Sequence, residues 1–317
     1  MPTTDTSDVP HIPVLLSQVL ESFSSLEAGL FVDCTLGYGG HSSAVLAAHP
    51  GLRLLGIDRD PEALAFSARH LAPFGDRVRL ERGSFSRLLP EILAREPVAG
   101  ILADFGVSSL QLDKAERGFS FGSERLDMRM DPEAPLSAYE VVNEYPAEKL
   151  EYLFRTYGEI RPARRLAEAV VRRRARAPIT SARELSALAL EHLPKGGKTH
   201  PATLMFQAIR IEVNDELGEI ERLLDALEAR PPAGAVLSLI TFHSLEDRLV
   251  KNRFRVWSRE CICPPEALRC TCGGNHSLGK PLGRKPRTAT ARELRDNSRS
   301  RSAKLRSFRF HDAGGRP

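Results

Sequence analysis

The most constraining feature of this chain is an alternation in its first hundred residues. Short, almost wholly apolar runs each end at an acidic or glycine-rich turn, and helical patterns lie between them. The runs are Leu30–Asp33, Leu52–Ile57 closing on Asp58, Val78–Glu81, and Val98–Phe105, apolar until Asp104. Helical patterns follow the first three, at about Gly40–Ala48, Pro61–Leu71 and Ser86–Arg95. A strand with one wet face would alternate apolar and polar residues. Apart from Val78–Glu81, these runs do not, so both faces must be covered, which predicts an α/β fold with a parallel, doubly wound sheet.

The alternation stops at Gly106. As far as Pro232 the chain shows helical period or loop chemistry. Helices are expected over 146–157, 162–175 and 182–193, the last opened by Ser181 and Glu184 as a capping box, and one long helix over 201–227. Strand character returns at Ala235–Phe242. A helix over Ser244–Trp257 follows, capped by Ser244 with Asp247 at its third position, and Leu305–Phe310 reads as a last strand. The expected organisation is a sheet domain at 11–112 and 230–310, interrupted by a helical insertion at 113–229. Flexible ends are expected at 1–10 and 311–317.

Composition narrows the class. With 42% hydrophobic and 27% charged residues, 23 Gly and 22 Pro in 317, the chain is globular rather than fibrous or low-complexity. No apolar run approaches the roughly 18–20 residues that span a bilayer, so no membrane association is expected. The first residues lack a basic and an apolar region, so no signal peptide is expected either. Four of the five cysteines fall within a twelve-residue window, which is no disulfide framework; a reducing, cytoplasmic setting is the expectation.

Charge is unevenly placed. The net charge is +4, but Arg284–Arg309 holds ten Lys/Arg against two acids, so the rest of the chain sums to −4. A second run, Arg161–Arg176, holds seven Arg and one Glu. Two basic patches suggest a polyanion such as RNA. The plainer alternatives are a solvated helix face for the run at 161–176 and a disordered tail for the other.

The glycine-rich turn after the first strand reads Asp33-Cys-Thr-Leu-Gly-Tyr-Gly-Gly-His-Ser42. A dinucleotide fingerprint would place glycine where Ser42 stands, so a nicotinamide-dependent oxidoreductase is disfavoured. The spacing of an acid followed by small residues at plus two, four and six (Thr35, Gly37, Gly39) fits the class I methyltransferase loop better. Glycine there lets backbone approach a bulky zwitterionic ligand; the plainer reading is a turn that packs a helix on a strand. Asp58 ends the second strand, where a carboxylate can accept from both ribose hydroxyls or simply cap the next helix. Phe85, after Gly83-Ser84, can lie against an adenine ring, and Asp104 ends the fourth strand. All four positions lie at carboxyl ends of successive strands, where open α/β sheets bind ligands.

Longer motifs are collinear from about residue 11 to 310: His11-Ile-Pro-Val-Leu-Leu, Asp33-Cys-Thr-Leu-Gly-Tyr-Gly-Gly-His-Ser, Ile57-Asp-Arg-Asp-Pro, Asp104-Phe-Gly-Val-Ser-Ser-Leu-Gln-Leu-Asp, Leu126-Asp-Met-Arg-Met-Asp, His200-Pro-Ala-Thr, Phe206-Gln-Ala-Ile-Arg-Ile and Phe242-His-Ser-Leu-Glu-Asp-Arg. On these the chain resembles the 16S ribosomal RNA cytosine-N4 methyltransferase family (RsmH/MraW). The resemblance implies a Rossmann-like class I S-adenosylmethionine-dependent methyltransferase sheet with an inserted helical domain. It also implies S-adenosyl-L-methionine as donor, and as acceptor a cytidine in the decoding region of the small ribosomal subunit. By motif position the cofactor contacts would be Gly39, Gly40, His41, Asp58, Phe85, Asp104 and Gln111. Cys34, Leu36 and Phe105 depart from the family pattern without touching those positions. The competing class is a non-catalytic RNA-binding or ribosome-assembly factor that keeps the fold, and a homodimer is left open.

Methyl transfer to an exocyclic amine needs amine and methyl carbon held in a near-attack pose. Asp104 with nearby main-chain carbonyls is the first candidate for orienting the amine. His243 is the second, with the alternative that it only fixes the strand-to-helix turn. In the basic insertion Arg161, Arg164 and Arg165 are expected to contact rRNA phosphates. Finally, Cys261-x-Cys263 and Cys270-x-Cys272 offer four thiolates that could close a tetrahedral zinc site, or remain free or redox-sensitive thiols.

Overall fold

The computed structural model describes residues 12–194, 200–264, 266, 267 and 269–313. His11, the expected flexible start at 1–10 and the last four residues of the expected flexible end lie outside them. The chain divides into two compact units, Met1–Gly106 with Ile220–Pro317, and Val107–Glu219. These divisions fall several residues before the expected start of the insertion at 113 and its expected end at 229.

The first unit is built on one sheet. Its strands are β1 (Ala28–Asp33), β2 (Gly51–Asp58), β3 (Val78–Arg82), β4 (Val98–Asp104), β5 (Val236–Thr241), β6 (Gly279–Pro281), β7 (Arg287–Thr288) and β8 (Lys304–Phe310). The order is β3-β2-β1-β4-β5-β8-β6, with β7 also on β8. β1 to β5 pair in parallel, whereas β8 runs antiparallel to β5 (Val236 opposite Arg309) and to β6 and β7. The sheet is therefore mixed, an α/β sheet of Rossmann-like order.

β1, β2, β4 and β5 read as near-continuous apolar runs because successive residues enter two different cores. Leu30 and Val32 of β1, Leu55 and Ile57 of β2, Ile101 and Ala103 of β4, and Leu237 and Leu239 of β5 face one cluster. That cluster is closed by Phe85, Leu89 and Ile92 of helix Phe85–Arg95 and by Phe254 and Trp257 of helix Ser244–Trp257. Phe31, Leu52, Leu54, Leu102, Val236 and Ile240 face the other, closed by Val19 and Phe23 of helix Leu16–Phe23 and by Val45 and Leu46 of helix Gly40–Ala48. Antiparallel β8 follows the same alternation, with the Phe308 ring tilted or edge-on to Phe254 and Trp257 and the Phe310 ring tilted against Trp257.

Three local expectations need correction. The stretch over 201–227 is not one helix: Ala202–Asn214 and Glu216–Ala229 are separated at Asp215, which adopts a left-handed conformation (φ 50°). Just before the break the Asn214 side chain donates to the Met128 carbonyl (2.8 Å) and accepts from the Met130 N–H (2.7 Å). The cap of helix Ser244–Trp257 is His243, not Ser244, with Glu246 rather than Asp247 at its third position. Asp247 is instead engaged from β8 by Arg306 (2.7 Å) and Lys304 (3.3 Å). That engagement also removes the disordered-tail alternative for the basic run at 284–309, which is drawn into β7 and β8. At Ser181 half of the expected box forms: its Oγ accepts the Glu184 N–H, while the Glu184 carboxylate turns to Thr180 and Arg173.

The second unit is helical. Ala138–Glu144, Ala147–Thr156, Ala163–Arg174, Ala182–His192 and Ala202–Asn214 enclose a core that includes Leu150, Phe154, Leu166, Val170, Leu185, Met205 and Ile209. The first of these helices was not anticipated. Ser137 and Glu140 open it with a reciprocal capping box, a signal legible as Ser-Ala-Tyr-Glu. Among the described residues no helix is long and apolar enough to cross a membrane.

Candidate active site

Chain order reverses between β1 and β4, which lie side by side, so the loops leaving their carboxyl ends diverge and open a crevice. Asp33 builds the first wall. Its Oδ1 accepts the Thr35 N–H (3.1 Å) and its Oδ2 the Ser42 hydroxyl (2.6 Å), fastening the glycine turn to the helix it precedes. Ser42, the residue that spoils a dinucleotide fingerprint, is thus the clasp of this turn. Thr35 Oγ1 accepts the Asp104 N–H (2.6 Å) and ties the end of β1 to the end of β4.

The glycines have distinct causes. Gly37 (φ 52°) and Gly39 (φ 76°) hold left-handed conformations, and Gly39 opens helix Gly40–Ala48 without a side-chain cap. At Gly40 the constraint is packing: a Cβ would lie 2.7 Å from Pro13 Cγ. This glycine is therefore favoured by packing, whatever the turn binds.

Asp58 is no helix cap, because Asp60 takes that role by accepting the Glu62 N–H. Asp58 instead reaches the turn, Oδ2 accepting from Gly37 N–H (2.8 Å) and Oδ1 from Asp60 N–H (2.9 Å). Each oxygen keeps a second lone pair. Phe85, capped from Ser84, is buried, its ring 6.1 Å from that of Phe105.

Electrostatics single out the acids. Burial pushes the Asp33 carboxyl up to about 6, against its bonds to Ser42 and Thr35. Burial also raises Asp58. Asp104 stands well above the usual carboxylate range, through burial first and then the negative charges of Asp33 and Glu246. Its Oδ1 is buried with no hydrogen-bond partner among the described residues. Its Oδ2 lies 4.0 Å from His41 Nδ1. Burial pushes His41 down to about 4, so the ring is neutral at physiological pH, its Nε2 2.8 Å from the Val14 carbonyl. The turn is a place where negative charge is crowded and under-compensated.

His243 is buried, with Nε2 3.0 Å from Glu246 Oε1. Glu246 Oε2 accepts the N–H groups of Phe242 (2.7 Å) and His243 (3.3 Å). Glu246, fully buried, was missed as a site residue; its signal was its place three residues after the true cap. Gln111 lies in the second unit, buried, with Oε1 accepting the Ser108 N–H (3.0 Å).

Two basic surfaces are present, one in each unit. In the first, a groove of about 330 Å³ is lined by Lys251, Arg255, Arg284, Lys285, Arg287 and Arg306. In the second, Arg161, Arg164 and Arg165 are exposed on and before helix Ala163–Arg174. Arg174 of the same run is structural, donating to the carbonyls of Val142 and Tyr145 (2.6 Å each).

The profile of the MraW methylase family matches residues 8–311. The chain is 68% identical over 303 residues to the ribosomal RNA small subunit methyltransferase H of a Sulfurovum species, covering 96% of this chain and 98% of that protein. Proteins of the same name from Wolinella succinogenes and a Nitratiruptor species are 58% and 55% identical, over 95% and 96% of this chain and 98% and 100% of theirs.

Proposed function

The chain belongs to the MraW methylase family and, with it, to the ribosomal RNA small subunit methyltransferases; we propose that it moves a methyl group from S-adenosyl-L-methionine to the exocyclic N4 amine of one cytidine in the decoding region of 16S rRNA. The observation that carries this reading is Asp104. It ends β4 at the point where strand order reverses, its charge is disfavoured, and one oxygen is buried without a partner among the described residues.

The residues fit such a cofactor. S-adenosylmethionine presents a sulfonium and an ammonium, and positive charge offsets the repulsion that raises Asp33, Asp58 and Asp104. The free lone pairs of Asp58 suit ribose hydroxyls, and the buried ring of Phe85 supplies an apolar wall for a base. Gly39, Gly40 and neutral His41 shape the turn, and Gln111 is assigned to the same cofactor by its motif position. When bound, the cofactor supplies a methyl carbon already activated by its sulfonium.

The protein's own part is to place and prepare the amine. The N4 lone pair is delocalised into the pyrimidine ring. Asp104 Oδ1, accepting one of the amine hydrogens, pulls electron density back onto nitrogen and fixes the direction of attack. Of the two readings for His243, the turn-fixing one is favoured, because its imidazole is buried against Glu246 at the helix cap. Glu246 is then a positioning residue that also raises Asp104. The two basic surfaces take rRNA phosphates.

The test is methyl transfer from labelled S-adenosylmethionine to small subunits isolated from cells lacking this protein, followed by nucleoside analysis. N4-methylcytidine, lost in Asp104→Ala, is the expected result. Cofactor binding without transfer to any small-subunit RNA would mean the acceptor is wrong. Neither binding nor transfer would overturn the enzymatic reading in favour of an assembly factor.

A further inference from the structure

Between helix Ser244–Trp257 and β6 the chain makes an excursion that the methyl-transfer reading does not use. It leaves and returns at one point: Leu278 N–H donates to the Trp257 carbonyl (2.7 Å) and His276 N–H to that of Glu260 (3.0 Å). From Ser258 to His276 none of the described residues is buried, and Ile262 is 62% exposed. A loop without an apolar core needs another reason to hold one shape.

Its interior is sulfur. The Sγ atoms of Cys261, Cys263, Cys270 and Cys272 all lie within 4.8 Å of one another. Cys261 to Cys270 is 3.6 Å, Cys270 to Cys272 3.6 Å and Cys272 to Cys261 3.7 Å. Four sulfurs at about 2.3 Å from a common tetrahedral centre would be about 3.8 Å apart, close to these edges. Backbone N–H groups converge on the same sulfurs. Thr271 donates to Cys263 Sγ (3.3 Å), Cys263 to Cys261, and both Ile262 and Gly274 to Cys272. Such donors compensate thiolate charge and orient the ligands. Gly273 (φ 80°) and Gly274 (φ 71°) make the last of them attainable, since two successive left-handed residues fold the chain back over Cys272.

We propose that these four cysteines hold one structural zinc ion. Four thiolates leave no open position, so the site is closed and non-catalytic, and all-sulfur tetrahedral coordination selects zinc over hard divalent ions. Loading releases the thiol protons and involves no electron transfer. The ion would clamp residues 261–272 into the fixed loop that joins helix Ser244–Trp257 to β6. This site stands apart from the methyl-transfer reading and does not depend on it.

The test uses the full-length protein purified under reducing conditions. After dialysis against metal-free buffer, zinc is measured by plasma mass spectrometry, and cobalt(II) is substituted for its tetrahedral thiolate spectrum. One zinc per chain is expected, with single variants Cys261→Ser and Cys272→Ser binding it about 100-fold more weakly or worse, as each thiolate carries about a quarter of a structural site's affinity. The variants should also be cleaved faster by protease within 258–278 while Trp257 fluorescence reports an intact sheet unit. Less than about a tenth of a zinc per chain, iron with cluster absorption, a denatured thiol count below five, or equal zinc in the variants would each overturn the proposal.

Discussion

Asp33→Asn is the perturbation whose size the structure fixes best. Asp33 is 2% exposed and its carboxyl is pushed from an ordinary 3.8 up to about 6. Between those values the folded chain holds a proton that the unfolded chain releases, so stability falls as pH rises through that window. At about 1.4 kcal/mol per pH unit the loss is about 3 kcal/mol, complete above pH 6 and absent below about 4. Asparagine keeps an oxygen for the Thr35 N–H, and Ser42 Oγ can turn from donor to acceptor. The variant should therefore be more stable than wild type by about 3 kcal/mol at pH 8 and indistinguishable near pH 4. The chain's only tryptophan, Trp257, lies in the core of the sheet unit, so its fluorescence during urea unfolding reports on that unit directly. Saturating S-adenosylmethionine should narrow the gap, because a cationic ligand offsets the same charge. A variant no more stable at pH 8, or a gap of equal size at pH 4 and 8, would refute the reasoning.

Other predictions follow from packing and charge. Gly40→Ala places a methyl 2.7 Å from Pro13 Cγ and should cost about 1–3 kcal/mol by the same fluorescence measurement. An unchanged midpoint would show that the segment before helix Leu16–Phe23 yields freely. Reversing Arg161 and Arg165 to Glu should weaken binding to small-subunit RNA and flatten its salt dependence, leaving S-adenosylmethionine affinity unaltered. Arg174→Ala should behave oppositely, lowering the melting temperature of the helical unit through two lost carbonyl bonds. RNA affinity that ignores the double reversal would remove this helix from the interface.

Legibility differed between fold and site for a physical reason. Every long strand and most helices could be read within a residue or two, because burial on both faces or on one stripe writes itself into local periodicity. β6 and β7 could not: they are two or three residues long, polar, and exist because β8 offers them an edge. In the site, positions were legible and partners were not. Asp58, Asp104, Phe85 and the glycine turn stand at strand ends that the sequence displays. That Ser42 clasps Asp33, that Pro13 crowds any side chain at Gly40, and that Glu246 leans its charge on Asp104 are relations between residues far apart in the chain.

By itself the sequence determined the class of fold, the end of the sheet where ligand chemistry gathers, the helical insertion and the family. Each follows from patterns that residues impose on their immediate neighbours. Only the tertiary structure decided the break at Asp215, the cap at His243 and the antiparallel edge that absorbs the basic tail. It also decided the proton-holding bias of Asp33 and Asp104 and the convergence of four sulfurs on one centre. Charge state, hydrogen-bond partner and the spacing of the four sulfurs depend on what lies within a few ångströms, and the folded chain sets those distances.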